Sequence, residues 1–179
     1  AYGRSEALYL GQALADMHLR WYEEPVVPED YEGYADLRRR LPMAIAGGEN
    51  EHSLYGFNAL FEGACVDIAQ PDIGSCGGFT AARHITALAQ AKGVEINPHV
   101  WGSAVAQAAS LHLIAALPNT HHSLFARQPI LEYDQSSHPF RRELTRHPIQ
   151  TQDGFVQIND APGLGIEIRK DTLAHYRIN

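Results

Sequence analysis

The stretch VEINPHVWG, residues 94–102, indicates the fold of this chain. A short run of β-forming residues reaches Pro98, His99 follows where the strand stops, and Gly102 leads into a long apolar helix. In parallel α/β folds the active site is built where the strands end, so His99 occupies a position suited to catalysis. A single histidine is more often structural than catalytic. The interpretation therefore depends on whether other strand ends also carry reactive side chains.

Strand and helix patterns alternate along the whole first part of the chain. Such alternation favours parallel strands with helices outside them. The helices are predicted from apolar residues at helical spacing, with Ser5 and Ser53 as N-caps and Gly63 as a helix end. The predicted helices are residues 7–17, 31–41, 54–62, 79–92 and 104–117, and the predicted strands are residues 19–22, 43–46, 66–70, 94–96 and 129–131.

An ionisable side chain stands at or just after the end of each predicted strand. The five are Glu23, Glu49, Asp72, His99 and Glu132, separated by 26, 23, 27 and 33 residues. A complete eight-unit barrel uses about 31 residues per unit, so these separations favour an α/β barrel. An open doubly wound sheet is the alternative, but no Gly-x-Gly-x-x-Gly motif follows a strand. The five side chains are therefore predicted to converge at one mouth.

The chain divides into two parts. Residues 1–134 read as the second half of a catalytic barrel, whereas residues 135–179 lose the repeat and are interrupted by prolines at 139, 148 and 162. Five strands would leave an open apolar edge, so we expect an upstream half that lies outside this numbering. The segment 135–179 is expected to leave the barrel and pack elsewhere.

Carboxylates at the first two strand ends suggest a metal site. Glu23 and Glu49 would offer oxygen ligands to a hard cation such as Mg²⁺, and a third ligand would have to come from outside this chain. The structural alternative for Glu23 is a solvated acidic pair with Glu24.

The next three strand ends suggest proton transfer. Asp72 could accept a hydrogen bond from one ring nitrogen of His99 and leave the other nitrogen to act as a general base. The alternative for this dyad is a buried ion pair. Glu132, if protonated, could donate a hydrogen bond to developing negative charge, although an isolated glutamate is more often an exposed strand end.

Composition excludes several classes of protein. A formal charge of −7 over 179 residues argues against a nucleic-acid surface, and no run of about 20 apolar residues predicts a membrane span. Cys65 and Cys76 are interpreted as packed thiols, with neither a disulfide nor a zinc site expected. A cytoplasmic protein that does not associate with membranes is expected.

Six motifs resemble the second half of the enolase superfamily, in its mandelate racemase group, over essentially the whole chain. Within this group, EEPVVPE at 23–29, AGGE at 46–49, HVWG at 99–102 and HPFR at 138–141 look most like the galactarolactone cycloisomerases, although acid-sugar dehydratases share much of this pattern. The six motifs are WYEEP at 21–25, GEN at 48–50, QPD at 70–72 with Gly77-Gly78 following, PHVWG at 98–102, LEYD at 131–134 and PGLG at 162–165.

The resemblance implies a fold and a chemistry. The fold would be the C-terminal part of a (β/α)7β TIM-type barrel, with residues 135–179 returning to a capping domain. Glu23 and Glu49 would be Mg²⁺ ligands, Asp72 and His99 the acid/base dyad, and Glu132 a hydrogen-bonding partner of the substrate carboxylate or enolate.

Family members abstract the proton α to a carboxylate, with Mg²⁺ stabilising the charge that develops. The expected substrate is a small carboxylate, an acid sugar or its lactone, and a homo-oligomer is expected. An aspartate ligand and a Lys-x-Lys pair would lie upstream of residue 1.

Two other readings remain open. A metal-dependent hydrolase barrel is disfavoured because such enzymes gather histidines, and His121-His122 lie outside any predicted strand end. A catalytically inactive barrel or binding module that retains relict site residues is the non-enzymatic reading.

Overall fold

The computed structural model describes residues 1–118 and 130–178. The first part is built from alternating strands and helices, and the second from short elements. The elements in chain order are α1 (Arg4–Ala13), a 3₁₀ turn (Ala15–Met17), β1 (Trp21–Glu23), α2 (Tyr31–Arg40), β2 (Ala44–Gly47), α3 (Ser53–Glu62), β3 (Ile68–Ala69), α4 (Gly78–Lys92), β4 (Glu95–Ile96), α5 (Ala104–Ala115), α6 (Pro139–Arg142), β5 (Thr151–Gln152), β6 (Phe155–Val156) and α7 (Lys170–His175).

Strands β1 to β4 form one parallel sheet in the order of the sequence. In the register, Glu23 pairs with Ala46, Ala46 with Ile68, and Ile68 with Glu95. Paired residues of parallel strands share a face, so one face carries this row and the other carries its neighbours Tyr22 and Ile45. Four of the predicted strands and the alternation with helices are confirmed.

The fifth predicted strand is wrong over its described part. Residues 130 and 131 have no regular secondary structure, and residue 129 falls outside the described residues, as does the pair His121-His122. The predicted run was only three residues long, and its proline has no N–H to donate to a neighbouring strand. Ile130 is also 37% exposed, so little packing holds this segment as a strand.

Two predicted helix caps are also wrong. Helix α1 begins at Arg4 rather than after Ser5, and its Glu6 carboxylate accepts a hydrogen bond from the Gly3 N–H. Ser53 is the first residue of α3, with His52 as its N-cap. At the start of a helix, a glutamate carboxylate can accept a hydrogen bond from an unpaired backbone N–H just as a serine hydroxyl can. The sequence alone therefore does not decide which of the two residues caps the helix.

The apolar core lies between the sheet and helices α1 to α5. It joins strand residues of one face, including Tyr22 and Ile45, to helix residues such as Tyr34, Phe57 and Ile85. Burying side chains of this size contributes about 1.5–3 kcal/mol each. The opposite face of the sheet is therefore free to hold polar groups.

The second part of the chain packs beside α5. Helix α6 contacts α5. Strands β5 and β6 form an antiparallel hairpin, and an antiparallel bridge joins Thr145 to Ile168. Within the described ranges, no helix is both long and apolar enough to cross a membrane. Cys65 and Cys76 are buried free thiols.

Candidate active site at the carboxyl end of the sheet

Four of the five predicted site residues follow the sheet strands at the same edge. Glu23 is the last residue of β1, and Glu49 follows β2 after one glycine. Asp72 and His99 each come three residues after β3 and β4. Because the strands are parallel, these loops leave the sheet together and place the four side chains at one mouth.

His99 is the centre of this mouth. Its Nδ1 lies 2.8 Å from Asp72 Oδ2, and only 15% of its side chain is exposed. The hydrogen bond to Asp72 raises the pKa of His99 above its ordinary value, with further support from the charges of Glu49 and Glu132, although burial opposes the shift. A histidine held in this way at Nδ1 keeps Nε2 for proton transfer.

Asp72 is held ionised by its partners. Burial alone would raise its pKa, but hydrogen bonds from His99 and from the Gly74 N–H outweigh burial, and the pKa lies below the ordinary value. The Gly74 N–H donates to Asp72 Oδ1 over 2.7 Å. Each carboxylate oxygen therefore has a donor, which fixes the plane of the group and the ring of His99.

The free side of His99 faces two further carboxylates. Nε2 lies 3.6 Å from Glu49 Oε2 and 4.0 Å from Glu132 Oε2. Burial raises the pKa of Glu49, and the negative charges of Glu24, Glu23 and Glu132 raise it further, although His99 opposes this. Negative charge is thus concentrated at the mouth.

Glu132 reaches the mouth without a strand behind it. Its Oε2 accepts a hydrogen bond of 2.6 Å from the Val100 N–H, directly after His99 in the chain. The side chain is 39% exposed. The predicted position beside the dyad is therefore the observed one, but a loop rather than a strand end provides it.

Glu23 stands apart from the His99 cluster. Among the described residues, no hydrogen bond or ion pair joins it to Glu49, Asp72, His99 or Glu132. Its Oε2 accepts from the Trp21 indole over 2.8 Å and from the Gln70 amide over 2.6 Å. Its neighbour Glu24 accepts instead from Asn50, over 3.0 and 3.1 Å, so the two adjacent glutamates have separate partners.

Gln70, part of the QPD motif, contacts the candidate site residue Glu23, and no role was predicted for it. It follows β3 and is only 3% exposed. Its side chain reaches across β2 to Glu23 on β1. The crossing is possible because Ala44 and Ala46 on this face of β2 carry only methyl groups. A signal was present in the sequence, because a glutamine two residues after Ile68 shares the face of that residue.

The donor set is suited to a hard cation but does not complete a site. Glu23 and Glu49 are carboxylates. Burial raises the pKa of Glu49 most, and the negative charge of its neighbours, which raises this pKa further, would be offset by a divalent ion. Within the part of the chain that the structure describes, no three His, Cys, Asp or Glu side chains are grouped so that they could hold a metal ion. Further ligands would be required from outside this set.

Comparison with known proteins identifies the family of this chain. The family model "Enolase C-terminal domain-like" matches residues 1–172. The chain is 42% identical over 177 residues to D-galactarolactone cycloisomerase from Agrobacterium fabrum, covering 99% of this chain and 47% of the relative. It is 35% identical over 170 residues to L-rhamnonate dehydratase from Saccharopolyspora erythraea, covering 92% of this chain and 41% of the relative.

A solved structure shows the same fold. The 3,6-anhydro-D-galactonate cycloisomerase from Zobellia galactanivorans superposes with a TM-score of 0.89 at 40% identity, covering 98% of this chain and 47% of that chain. The chain thus spans about half the length of the relatives it matches. The predicted resemblance is confirmed, and the chain belongs to the enolase C-terminal domain-like family, in the mandelate racemase group of the enolase superfamily.

Proposed function

We propose that this chain provides the acid/base face of a Mg²⁺-dependent enzyme that abstracts the proton α to the carboxylate of an acid sugar or its lactone. The observation that supports the proposal is the orientation of His99. Asp72 holds its Nδ1 at 2.8 Å, and its Nε2 faces the mouth at which the strand ends converge.

His99 would take the substrate proton at Nε2. Asp72 stays ionised beside the imidazolium, which stabilises the protonated ring and keeps its orientation. The same proton can return to a substrate carbon or to a leaving oxygen, so one dyad can serve isomerisation or elimination. The outcome depends on groups opposite His99.

Glu23 and Glu49 would hold the Mg²⁺. When bound, this cation would offset the negative charge of the substrate carboxylate. Glu132 lies 4.0 Å from His99 Nε2 and would orient the substrate beside it. The mouth is otherwise negative, so an anionic substrate would be repelled without the cation. This repulsion predicts that substrate binding depends on the metal.

The names of the relatives narrow the substrate class. Two are cycloisomerases and one is a dehydratase, and their names refer to galactarolactone, 3,6-anhydro-D-galactonate and L-rhamnonate. We propose a related acid sugar or lactone for this protein. We also propose that residues 1–134 form the barrel part and residues 135–179 a segment toward a capping domain.

The test uses the protein encoded by the complete reading frame that contains this chain. Acid sugars and their lactones are incubated with Mg²⁺ in D₂O, and deuterium entering the α position is followed by NMR. His99→Asn is expected to abolish exchange while Mg²⁺ affinity remains. His84→Asn, an exposed histidine on α4, is the matched control and should exchange normally.

Retained exchange in His99→Asn, from the same face of the substrate, would contradict the dyad assignment. Binding of acid sugars without any exchange by the unmodified protein would instead favour a binding module.

A further inference from the structure

Arg141 is a buried cation that the acid/base chemistry does not use. Only 7% of its side chain is exposed, although it lies in the four-residue helix α6. Its guanidinium forms an ion pair with Asp134 Oδ2 at 2.6 Å and donates to the Asp134 carbonyl over 3.3 Å. The neighbouring Arg142 is exposed and donates only to the Gln135 carbonyl among its described contacts.

One end of this contact set reaches the His99 loop. Arg141 Nε donates to the carbonyl of Gly102 over 3.1 Å. Gly102 is three residues after His99 and leads into α5. The guanidinium therefore fixes the point at which the loop carrying His99 and Val100 joins its helix.

The other end holds the segment that carries Glu132. Asp134 is two residues after Glu132, and Arg141 holds both its carboxylate and its carbonyl. Hydrogen bonds from the N–H and hydroxyl of Ser136 lower the pKa of Asp134 first, and the hydrogen bond from Arg141 lowers it further, so the carboxylate stays charged. This segment has no strand pairing among the described residues to place it, so side-chain contacts hold it instead: the Arg141–Asp134 ion pair and a hydrogen bond of 2.8 Å from the Tyr133 hydroxyl to the Ile149 carbonyl.

The two held segments meet at the mouth. Glu132 Oε2 accepts from the Val100 N–H over 2.6 Å and lies 4.0 Å from His99 Nε2. We propose that Arg141 is a positioning residue that sets Glu132 against the His99 loop by tying Asp134 to Gly102. The catalytic consequence rests on the proposed function, whereas the positioning itself does not.

A purely stabilising role explains the arrangement less well. Arg141 Nη2 is buried without a hydrogen-bond partner among the described residues. An unpaired buried donor costs about 1–3 kcal/mol, and a well-packed apolar residue is often as stable as a buried ion pair. The planar fork of arginine, which can donate to two segments at once, is what an apolar side chain cannot replace.

The experiment compares Arg141→Met with Arg142→Met in the protein from the complete reading frame. Hydrogen–deuterium exchange is measured with fragmentation that resolves single amides. In Arg141→Met, the Val100 amide is expected to exchange about tenfold faster or more, because Glu132 no longer holds it. The Asn97 amide, which donates to Ala69 O over 3.0 Å inside the sheet, should be unchanged.

Arg142→Met should leave both amides unchanged. If Arg141→Met does not fold, Arg141→Lys takes its place. Lysine keeps a positive charge beside Asp134 but loses the Nε–H that donates to the Gly102 carbonyl. Equal acceleration of Val100 and Asn97 would show a general loss of stability and overturn the proposal, as would an unchanged Val100 amide.

Turnover of an acid sugar provides the second readout. Arg141→Met is expected to lower kcat more than it raises KM, because Glu132 is displaced rather than removed. Suppose that the Val100 amide exchanges fast in Arg141→Met, but the unmodified protein exchanges no substrate α-proton. The positioning would then stand, and the proposed function would be contradicted. Normal exchange at Val100 with lost turnover would contradict the positioning alone.

Discussion

Arg20, immediately before β1, forms an ion pair with Glu95 of β4, although β2 and β3 lie between these strands. In a flat sheet the backbones of β1 and β4 would be about 14 Å apart. The guanidinium lies 5.5 Å from the centre of the Trp21 ring, on the face that also carries Glu23. The ion pair therefore links the two outer strands of the described sheet across its polar face.

The coupling between Arg20 and Glu95 can be measured by a double-mutant cycle of Arg20→Met and Glu95→Gln. Because Arg20 is 35% exposed and Glu95 13%, we expect a coupling free energy of about 0.5–1 kcal/mol that decreases in high salt. The exposed pair Arg39–Asp36 is the control and should show almost none. Urea unfolding gives both values, and equal coupling in the two pairs would contradict the expectation.

Asp72→Asn is expected to lower the pKa of His99. The hydrogen bond to Asp72 is the largest cause that raises this pKa, and burial, which remains in the variant, acts in the opposite direction. NMR titration of the His99 ring in the metal-free protein checks the shift. A pKa that stays above 6.5 in the variant would show that Glu49 and Glu132 control His99 instead.

The same pair should make stability depend on pH in a defined window. The folded-state pKa of His99 is raised above 6.5, so its stabilisation is complete below that pH and is lost as pH rises through the folded value. The folded-state pKa of Asp72 lies below 3.8, so its stabilisation is present above 3.8 and is lost as pH falls through the folded value.

The difference between the unfolding free energies of the unmodified protein and Asp72→Asn should therefore be greatest between pH 3.8 and 6.5. It should shrink as pH falls through the folded-state pKa of Asp72 and as pH rises through that of His99. Asp36→Asn removes an exposed carboxylate beside Arg40, and its difference should not shrink as pH rises through the folded-state pKa of His99.

Gly48→Ala should disturb Glu49. Gly48 has a φ of +115°, and an added Cβ would lie 3.0 Å from the Phe57 ring. We expect a loss of about 1–3 kcal/mol in the free energy of unfolding, with weaker Mg²⁺ binding at the next residue, the proposed ligand Glu49. Gly102→Ala is the control, because its Cβ would meet Ala106 at an ordinary 3.6 Å. Similar losses in both variants would argue against backbone strain.

Gln70→Leu should weaken metal binding at the proposed ligand Glu23 more than it weakens the fold. It removes the donor to Glu23, but it also removes Gln70 Oε1, which is buried without a hydrogen-bond partner in the described structure. Loss of a residue that orients a ligand costs about 10–100-fold in metal affinity. Mn²⁺ binding followed by EPR measures this. Gln107→Leu, in α5, removes another buried glutamine and should leave Mn²⁺ affinity unchanged.

The sequence allowed prediction of features that are local along the chain. The strands containing Tyr22, Ile45, Ile68 and Ile96 follow from short apolar runs, and the side chains after them follow from strand polarity. The prediction of the fifth strand was wrong because a three-residue run that begins with a proline has too weak a β-preference to form a strand without a pairing partner.

The missed residues act over long sequence distances. Gln70 contacts Glu23 across 47 residues, and Arg141 contacts Gly102 across 39. Both contacts depend on where the register and the tail place the backbone. The sequence indicates which face of the sheet Gln70 shares, but not that its amide reaches Glu23, and it carries no periodic signal for Arg141. Their burial, seen only in the fold, is what distinguishes them from surface polar residues.

The two faces of β2 have a consequence for variation in this protein. Ile45 points into the helix-covered core, whereas the next residue, Ala46, faces the polar side between Glu23 and Ile68. One residue thus separates a position packed in the core from a position on the face of the proposed site. On the proposed function, substrate preference is expected to diverge through changes on the polar face and in the loops, while the helix-covered face accumulates only conservative replacements.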